Sequence, residues 1–335
     1  MRESRHEERR PVYLVDGVRT PQLKARIGAG PFSASDLAVQ AGTALVARTG
    51  VQPERLDEVI LGCVMPAPDE VNIARIVALR IGCGHKVPAW TVQRNCASGM
   101  QALDSGVRAI ESGYADLILA GGTEAMSRSP LHLRQELTDL LAAWGRARTF
   151  GQRLALLRKL RPKHLSPVVV LMKGLTDPVV GLSMGQTAER LAHRFGIARE
   201  EMDAFAMASH HRLAAAVDDG LFEQEITPLY HPDGTVITVD DGVRRDSSME
   251  ALTRLKPVFD RPFGTITAGN SAQVSDGAAI LLLASEEAVE RHGLTVRARL
   301  HAAEWAGLAP EDMGLGPAYA IPALLDRHDM GVDDV

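Results

Sequence analysis

A chain of 335 residues, 45% hydrophobic and 24% charged, has the make-up of an ordinary globular protein and is long enough for two domains or one large α/β unit with an insertion. The formal net charge of −5 excludes a general nucleic-acid footprint, and no apolar run reaches the roughly 18 residues of a membrane span. Cys63, Cys83 and Cys96 have no metal-like spacing, which excludes a disulfide framework and favours a reducing compartment. With aromatics at 4%, the core must be built from Ala, Val, Leu and Ile. Residues 1–10 mix acids with bases around no apolar stretch. They read as a frayed tail, neither signal nor transit peptide, so the expected location is cytoplasmic.

From Pro11 strand and helix patterns alternate. Residues 12–15 read as a strand, followed by a turn-rich stretch to Pro21. Ser35 is placed to cap a helix from Asp36 to about Arg48, with Leu37, Ala41, Ala44 and Leu45 on its apolar face. Residues 59–61 form the next strand, 71–81 the next helix, and 89–92, entered from Pro88, the strand after that. There the chain reaches Gln93-Arg94-Asn95-Cys96-Ala97-Ser98-Gly99-Met100, which joins that strand to a helix carrying apolar residues at Met100, Leu103, Val107 and Ile110, with Gly113 as its stop. Cys96 falls at or just before the first helical turn. Unpaired N–H groups and the helix dipole there favour a thiolate and suit a developing oxyanion. A free cysteine is also commonly a small buried hydrophobe, and spacing alone leaves both readings open. Cys63 and Cys83 read as buried and inert.

Gly99 and Gly106 share a stripe of the Cys96 helix and let another backbone approach closely. An apolar strand at 117–120 then ends at Gly121-Gly122-Thr123-Glu124. Repeated βα units with apolar strands predict a largely parallel sheet covered on both faces.

After Pro130 the rhythm changes. Residues 129–173 hold nine Lys or Arg against Glu136 and Asp139, a local balance of +7, interleaved with Leu137, Leu141, Trp144, Phe150, Leu154 and Leu157. The pattern is a basic amphipathic hairpin broken near Gly145 and at Pro162. It suits a solvated helix face or, over 146–163, peripheral contact with anionic lipid. Residues 185–217 are helical with a break at Gly196. His193, His210 and His211 lie there without acidic or cysteine partners at metal spacing, so no metal site is expected. Residues 227–248 read as loop and short strands. Thr265-Ile266-Thr267-Ala268-Gly269-Asn270 leads to a buried strand at 278–284 that should return to the first sheet. From Val296 the opening pattern starts again, strand-like at 298–303 and helical at 320–327, as an internal repeat cut mid-unit.

Four co-linear segments resemble the thiolases, the acyl-CoA:acetyl-CoA C-acyltransferases. They are Val15-Asp16-Gly17-Val18-Arg19-Thr20-Pro21, Asn95-Cys96-Ala97-Ser98-Gly99, Ala120-Gly121-Gly122-Thr123-Glu124-Ala125-Met126-Ser127 and Gly264-Thr265-Ile266-Thr267-Ala268-Gly269-Asn270. The resemblance implies an α/β thiolase fold: βαβαβαββ layers with mostly parallel sheets and an inserted loop domain. The N-terminal core would be 11–128 plus 264–288, the loop domain 129–263, and 289–335 the start of an incomplete second core, whose matching helix would meet the Gly99/Gly106 stripe. The basic hairpin resembles the trifunctional-complex β-subunit type, while Gly174-Leu175-Thr176-Asp177 is more similar to acetyl-CoA acetyltransferases.

The resemblance implies that Cys96 is the acyl-accepting nucleophile. It would attack a 3-ketoacyl-CoA, release acetyl-CoA and pass the acyl group to a second CoA, or run the reverse condensation. Coenzyme A is then a substrate and no cofactor is permanently bound. The CoA-contacting positions it implies are Met184, Arg244, Phe259, Ala268 and Ser271, with Arg244 toward the nucleotide phosphates and Phe259 and Met184 along the pantetheine path; Phe259, beside Pro257, also suits a plain core position. Implied partners are acyl-CoA, a second copy as homodimer or tetramer, and a hydratase/dehydrogenase subunit. Two departures fall near the CoA: Ser183 where some acetyl-specific members have His, and Ala272 where they have Ser. The larger departure is that no His-Pro pair follows Pro262 and no cysteine follows Cys96. The family's acid/base cysteine and activating histidine are unmatched, which implies a truncated chain or, alternatively, a CoA- or acyl-binding subunit without catalysis.

Overall fold

The computed structural model describes residues 9–26 and 30–335; most of the tail read into 1–10 lies outside the described residues. Contacts divide the chain into two compact units, one of residues up to 128 together with 185–335, the other of residues 129–184.

The larger unit opens as the sequence predicts, with β1 (Val12–Arg19), β2 (Leu23–Lys24), α1 (Ala34–Thr49), β3 (Glu58–Gly62), α2 (Ile73–Arg80), β4 (Ala89–Val92), α3 (Ser98–Glu111) and β5 (Leu117–Ala125). The smaller unit holds β6 (Leu131–His132), α4 (Gln135–Arg146), α5 (Phe150–Leu157), α6 (Pro162–Leu165), β7 (Val168–Val169) and α7 (Val170–Gly174). The chain continues through α8 (Met184–Phe195), α9 (Arg199–Asp218), β8 (Leu229–Tyr230), β9 (Val236–Ile237), α10 (Met249–Thr253), β10 (Ser275–Ser285), α11 (Glu286–His292), β11 (Ala298–Leu300) and α12 (Gly316–Arg327). Residues 185–263, grouped with the insertion on sequence, pack with the larger unit.

Seven strands form one sheet in the order β11-β1-β10-β5-β3-β4, with β2 also on β10. It is mixed rather than mostly parallel. β3 runs parallel to β4 and β5, whereas β10 is antiparallel to β1, β5 and β2, and β11 to β1. Helical crossovers impose parallel pairing on the strands they join; β10 returns from a long excursion under no such constraint. β11 adds to the edge of this sheet instead of opening a second one.

Alternation along the central strands builds a core on each face. Val59, Leu61, Leu117 and Leu119 pack with Leu37, Ala41 and Leu45 of α1 and Ile73 and Val77 of α2. Ile60, Ile118, Ala120 and Leu283 pack with Ala102 and Ile110 of α3 on the other face. Each such Leu or Ile, fully buried, contributes about 1.5–3 kcal/mol relative to exposure. The cap of α1 is Ser33, not Ser35: Ser33 Oγ accepts from the Asp36 amide, and Asp36 accepts in return from the Ser33 amide. Ser35 instead hydrogen-bonds Glu70 and accepts from Arg80.

The buried face of α3 is Ser98, Ala102, Gly106 and Ile110, whereas Met100 is 57% exposed. A Cβ on Gly106 would meet Leu283 and Ile118 at 3.0 and 3.3 Å. The glycine stripe therefore faces this chain's own sheet, and is not left waiting for a helix of a second half. The apolar residues at 100, 103 and 107 are offset from it.

The segment from Asp16 to Thr20 acts as a junction. Asp16 accepts from Arg48 Nε and Arg297 Nε, each at 2.6 Å, and from the Gly17 amide at 2.9 Å. Burial works against its charge, yet these donors hold the Asp16 carboxyl below the ordinary carboxylate range. Arg19 pairs with Asp240 and Glu225, and Thr20 exchanges hydrogen bonds with Ala278 of β10.

In the smaller unit, α4 and α5 form the predicted hairpin, with Arg153 over the Trp144 ring at 5.7 Å. The turn is set by Thr149 and Gln152, whose side chains each accept from the other's amide. No apolar side chain of 129–184 is buried. Among the described residues, no helix is long and apolar enough to cross a membrane.

Candidate active site

Cys96 sits on a sharp elbow between β4, the edge strand, and the start of α3. The turn passes through Asn95 at φ 45°, the left-handed region that non-glycine residues seldom adopt. Local hydrogen bonds hold it there. The Ala97 and Ser98 amides donate to the Arg94 and Asn95 carbonyls, each at 3.0 Å. Ser98 Oγ donates to the Asn95 carbonyl at 2.6 Å and accepts from the Arg94 amide at 2.8 Å. The elbow can press close to the sheet because glycines line the contact. A Cβ on Gly62 would lie 2.3 Å from the Ser98 carbonyl carbon, and one on Gly122 would lie 3.2 Å from the Gly99 Cα.

The result is an exposed Cys96 one residue before the Ala97 cap of α3. The other two cysteines are buried. Burial, with the Glu124 carboxylate alongside, raises the Cys63 thiol above its ordinary value, and burial pushes Cys83 up to about 11. Both stay protonated near neutrality, so of the three only Cys96 is accessible to a reagent or substrate.

Glu124 had no role on sequence. Its carboxylate accepts from the Val64 and Met65 amides at 2.7 and 3.1 Å, so it shapes the loop after β3 beside the elbow. Burial raises its pKa more than those amides lower it.

Four of the expected CoA positions, Arg244, Phe259, Ala268 and Ser271, belong to the larger unit, and Met184 to the smaller one. Ala268 and Ser271 are exposed on the 265–271 loop, where Ser271 Oγ donates to the Thr267 carbonyl at 2.6 Å. Phe259 adjoins through the Val258 amide, which donates to the Ile266 carbonyl at 3.0 Å. Its half-buried ring lies on Gly185, where a Cβ would come within 2.1 Å, and also lines a groove of about 680 Å³ with Glu189, His193 and Thr265. Packing and lining are thus both present at Phe259. Arg244 is exposed, its amide donating to His210 Nδ1 at 3.3 Å. Burial first, then the Arg244 charge, lowers the His210 pKa, keeping the ring a neutral acceptor. Met184 opens α8, its amide donating to the Leu175 carbonyl at 3.0 Å.

Sequence reasoning missed what fixes the 265–271 loop. Glu189 of α8 accepts from the Thr265 and Ile266 amides and the Thr265 hydroxyl at 2.8–3.0 Å. Asp203 of α9, fully buried and paired with Arg199 at 2.7 Å, accepts from Asn270 Nδ2 at 3.0 Å. Asp203 and His210 are two turns apart on one face of α9, so a single helix carries the contacts to the loop and to Arg244. In sequence, Glu189 and Asp203 look like any helix-surface acids. Asn270 was the available signal, because its side chain also closes the loop onto the Thr267 amide.

Residues 12–287 match the family described as thiolase, N-terminal domain. The β subunit of the human mitochondrial trifunctional enzyme is 37% identical over 327 residues, covering 97% of this chain and 68% of that protein. The crystal structure of Bacillus anthracis acetyl-CoA acetyltransferase superposes with a TM-score of 0.86 at 36% identity, covering 98% of this chain and 78% of that one. Human mitochondrial 3-ketoacyl-CoA thiolase in complex with CoA gives 0.84 at 34% identity, covering 97% and 78%.

Proposed function

This chain belongs to the thiolase family, and on that premise we propose that it works in thiolase-type acyl transfer with Cys96 as the acyl acceptor. The observation that carries the reading is one exposed cysteine on a helix-start elbow beside two buried ones. In this reading the Cys96 thiolate attacks the C3 carbonyl of a 3-ketoacyl-CoA. The C2–C3 bond breaks, acetyl-CoA leaves as its enolate and takes up a proton, and the acyl group remains on sulfur as a thioester. The sulfur of a second CoA, once deprotonated, takes the acyl group and frees Cys96. CoA comes and goes as a substrate, resting on Phe259, Ala268 and Ser271, its phosphates toward Arg244. That a homologue was crystallised with CoA supports this assignment.

A second reading is a CoA- or acyl-binding protein without turnover; within these 335 residues no cysteine follows Cys96 and no His-Pro pair follows Pro262. Lacking one proton-transfer group costs about a hundred- to ten-thousandfold, and lacking one oxyanion donor about a hundred- to a thousandfold, with effects that do not simply add. The 335-residue chain is therefore expected to form an acetyl adduct on Cys96 from acetoacetyl-CoA, seen by peptide mass, without robust CoA-dependent cleavage of acetoacetyl-CoA or a long-chain 3-ketoacyl-CoA. CoA binding with no adduct turns to the second reading. Robust turnover, abolished in Cys96→Ala, overturns the view that the chain lacks its own acid/base groups. The same proposal includes cytoplasmic location, self-association and a hydratase/dehydrogenase partner subunit. It also includes contact of 146–163 with anionic membrane, which co-sedimentation with anionic against neutral vesicles decides.

A further inference from the structure

The stretch between β11 and α12 runs past the Cys96 elbow, and it brings one aromatic residue there. Arg94, two positions before Cys96, lays its guanidinium over the Trp305 ring, 4.0 Å from the centroid. The indole Nε1 donates to Asp104 Oδ2 at 3.2 Å. Asp104 is a buried carboxylate two turns into α3, also held by Arg108 and Gln101. Trp305 therefore touches the chain on both sides of Cys96, the arginine before it and the helix after it. The strap is itself anchored, since neighbouring Glu304 pairs with Arg327 of α12 at 2.5 Å.

We propose that Trp305 is a positioning residue for Cys96, acting through Arg94: its ring holds the Arg94 side chain, and its N–H ties that clasp to α3. Resting on the acyl-acceptor reading of Cys96, the inference adds a residue about two hundred positions distant to the machinery that presents the thiolate. The physical basis is conformational. A non-glycine residue in the left-handed region persists only where its surroundings over-determine it, and the clasp adds a contact to the four local hydrogen bonds of the elbow. The charged groups facing the clasp are Arg94, Asp104 and Arg108, with Gln101 the neutral member.

The test is the pH profile of Cys96 alkylation by iodoacetamide, read by peptide mass on the whole chain, with Cys63 and Cys83 as internal reporters of intact folding. Trp305→Ala should loosen the elbow and slow labelling of Cys96 about threefold across the profile, the scale of one exposed cation–π contact. Trp305→Phe keeps a ring face and should retain most of the parent profile. If Trp305→Ala exposes Cys63 or Cys83 to reagent, Arg94→Ala removes the same contact from the exposed side and should give the same slowing. A Trp305→Ala or Arg94→Ala profile superimposing on the parent overturns the proposal, and so does Trp305→Phe slowing labelling as far as Trp305→Ala. Failure to form an acetyl adduct with unchanged alkylation would count against the acyl-transfer reading alone.

Discussion

The helix α3 and the pair α4–α5 carry the same kind of pattern, an apolar stripe on an otherwise polar helix, and the chain treats them differently. α3 lays Ala102, Gly106 and Ile110 against β3, β5 and β10 and buries them. No side chain of α4 or α5 is buried, and Phe150 remains 81% exposed. Periodicity tells which side of a helix is apolar; a partner surface decides whether that side is dry. α3 has a sheet beneath it with glycines at the points of closest approach. α4 and α5 have only short neighbours in a unit of 56 residues (129–184).

That contrast can be broken first by truncating one leucine in each region. Leu119→Ala, at a fully buried position of β5, should cost about 3 kcal/mol in urea unfolding. Leu154→Ala, at a position 40% exposed in α5, should cost under about 0.5 kcal/mol. Comparable losses would mean that α5 is as well packed as the sheet.

A second pair sharpens it by changing sign. Gly62→Ala places a methyl into the carbonyl of Ser98 and should destabilise by about 2 kcal/mol, with altered labelling of Cys96 because the elbow must shift. Gly151→Ala meets nothing within 4 Å and should stabilise α5 by up to about 1 kcal/mol. Circular dichroism during thermal melting reads both, and a neutral Gly62→Ala would refute the close approach.

The smallest effect separates charge from packing within the larger unit. Asp16→Asn should cost about 1.5 kcal/mol at neutral pH, since it weakens charge-assisted bonds from two arginines. Because the folded pKa of Asp16 lies below its ordinary value, its contribution is complete above about pH 4 and is lost as pH falls through the lowered value. Stability curves of parent and variant should therefore converge in acid. A gap that stays constant down to pH 2 would place the loss in shape rather than charge.

What the sequence made legible was local. Strand, turn and helix around Cys96 are neighbours in the chain, so their pattern gave the elbow, and the unbroken apolar run at 117–120 gave a strand buried on both faces. Non-local relations were opaque. The direction of β10 depends on how a distant return meets β1 and β5, and no residue of 275–285 encodes it. The face of α3 was misread because Met100 and Val107 are apolar, while the residue that fits the sheet is Gly106. Ser33 and Ser35 compete as caps on composition; the reciprocal bond from Asp36 decides between them. Trp305 lies 201 positions from Asp104, beyond any local pattern.

The placement of β10 also fixes an order of events during synthesis. Among the described strands of the sheet β1 neighbours β10 and β11, so on leaving a ribosome it waits for more than 250 residues before it has a neighbour in the sheet. β3, β4 and β5 can pair with one another as they emerge. The nascent chain therefore carries three unfilled strand edges, both of β1 and one of β5, through the whole translation of residues 126–274. Long-range pairing of this kind is slow and leaves edges open to other chains. The eleven residues of β10 are the closing piece, and until they appear the half of the molecule bearing Cys96 is a sheet with its centre missing.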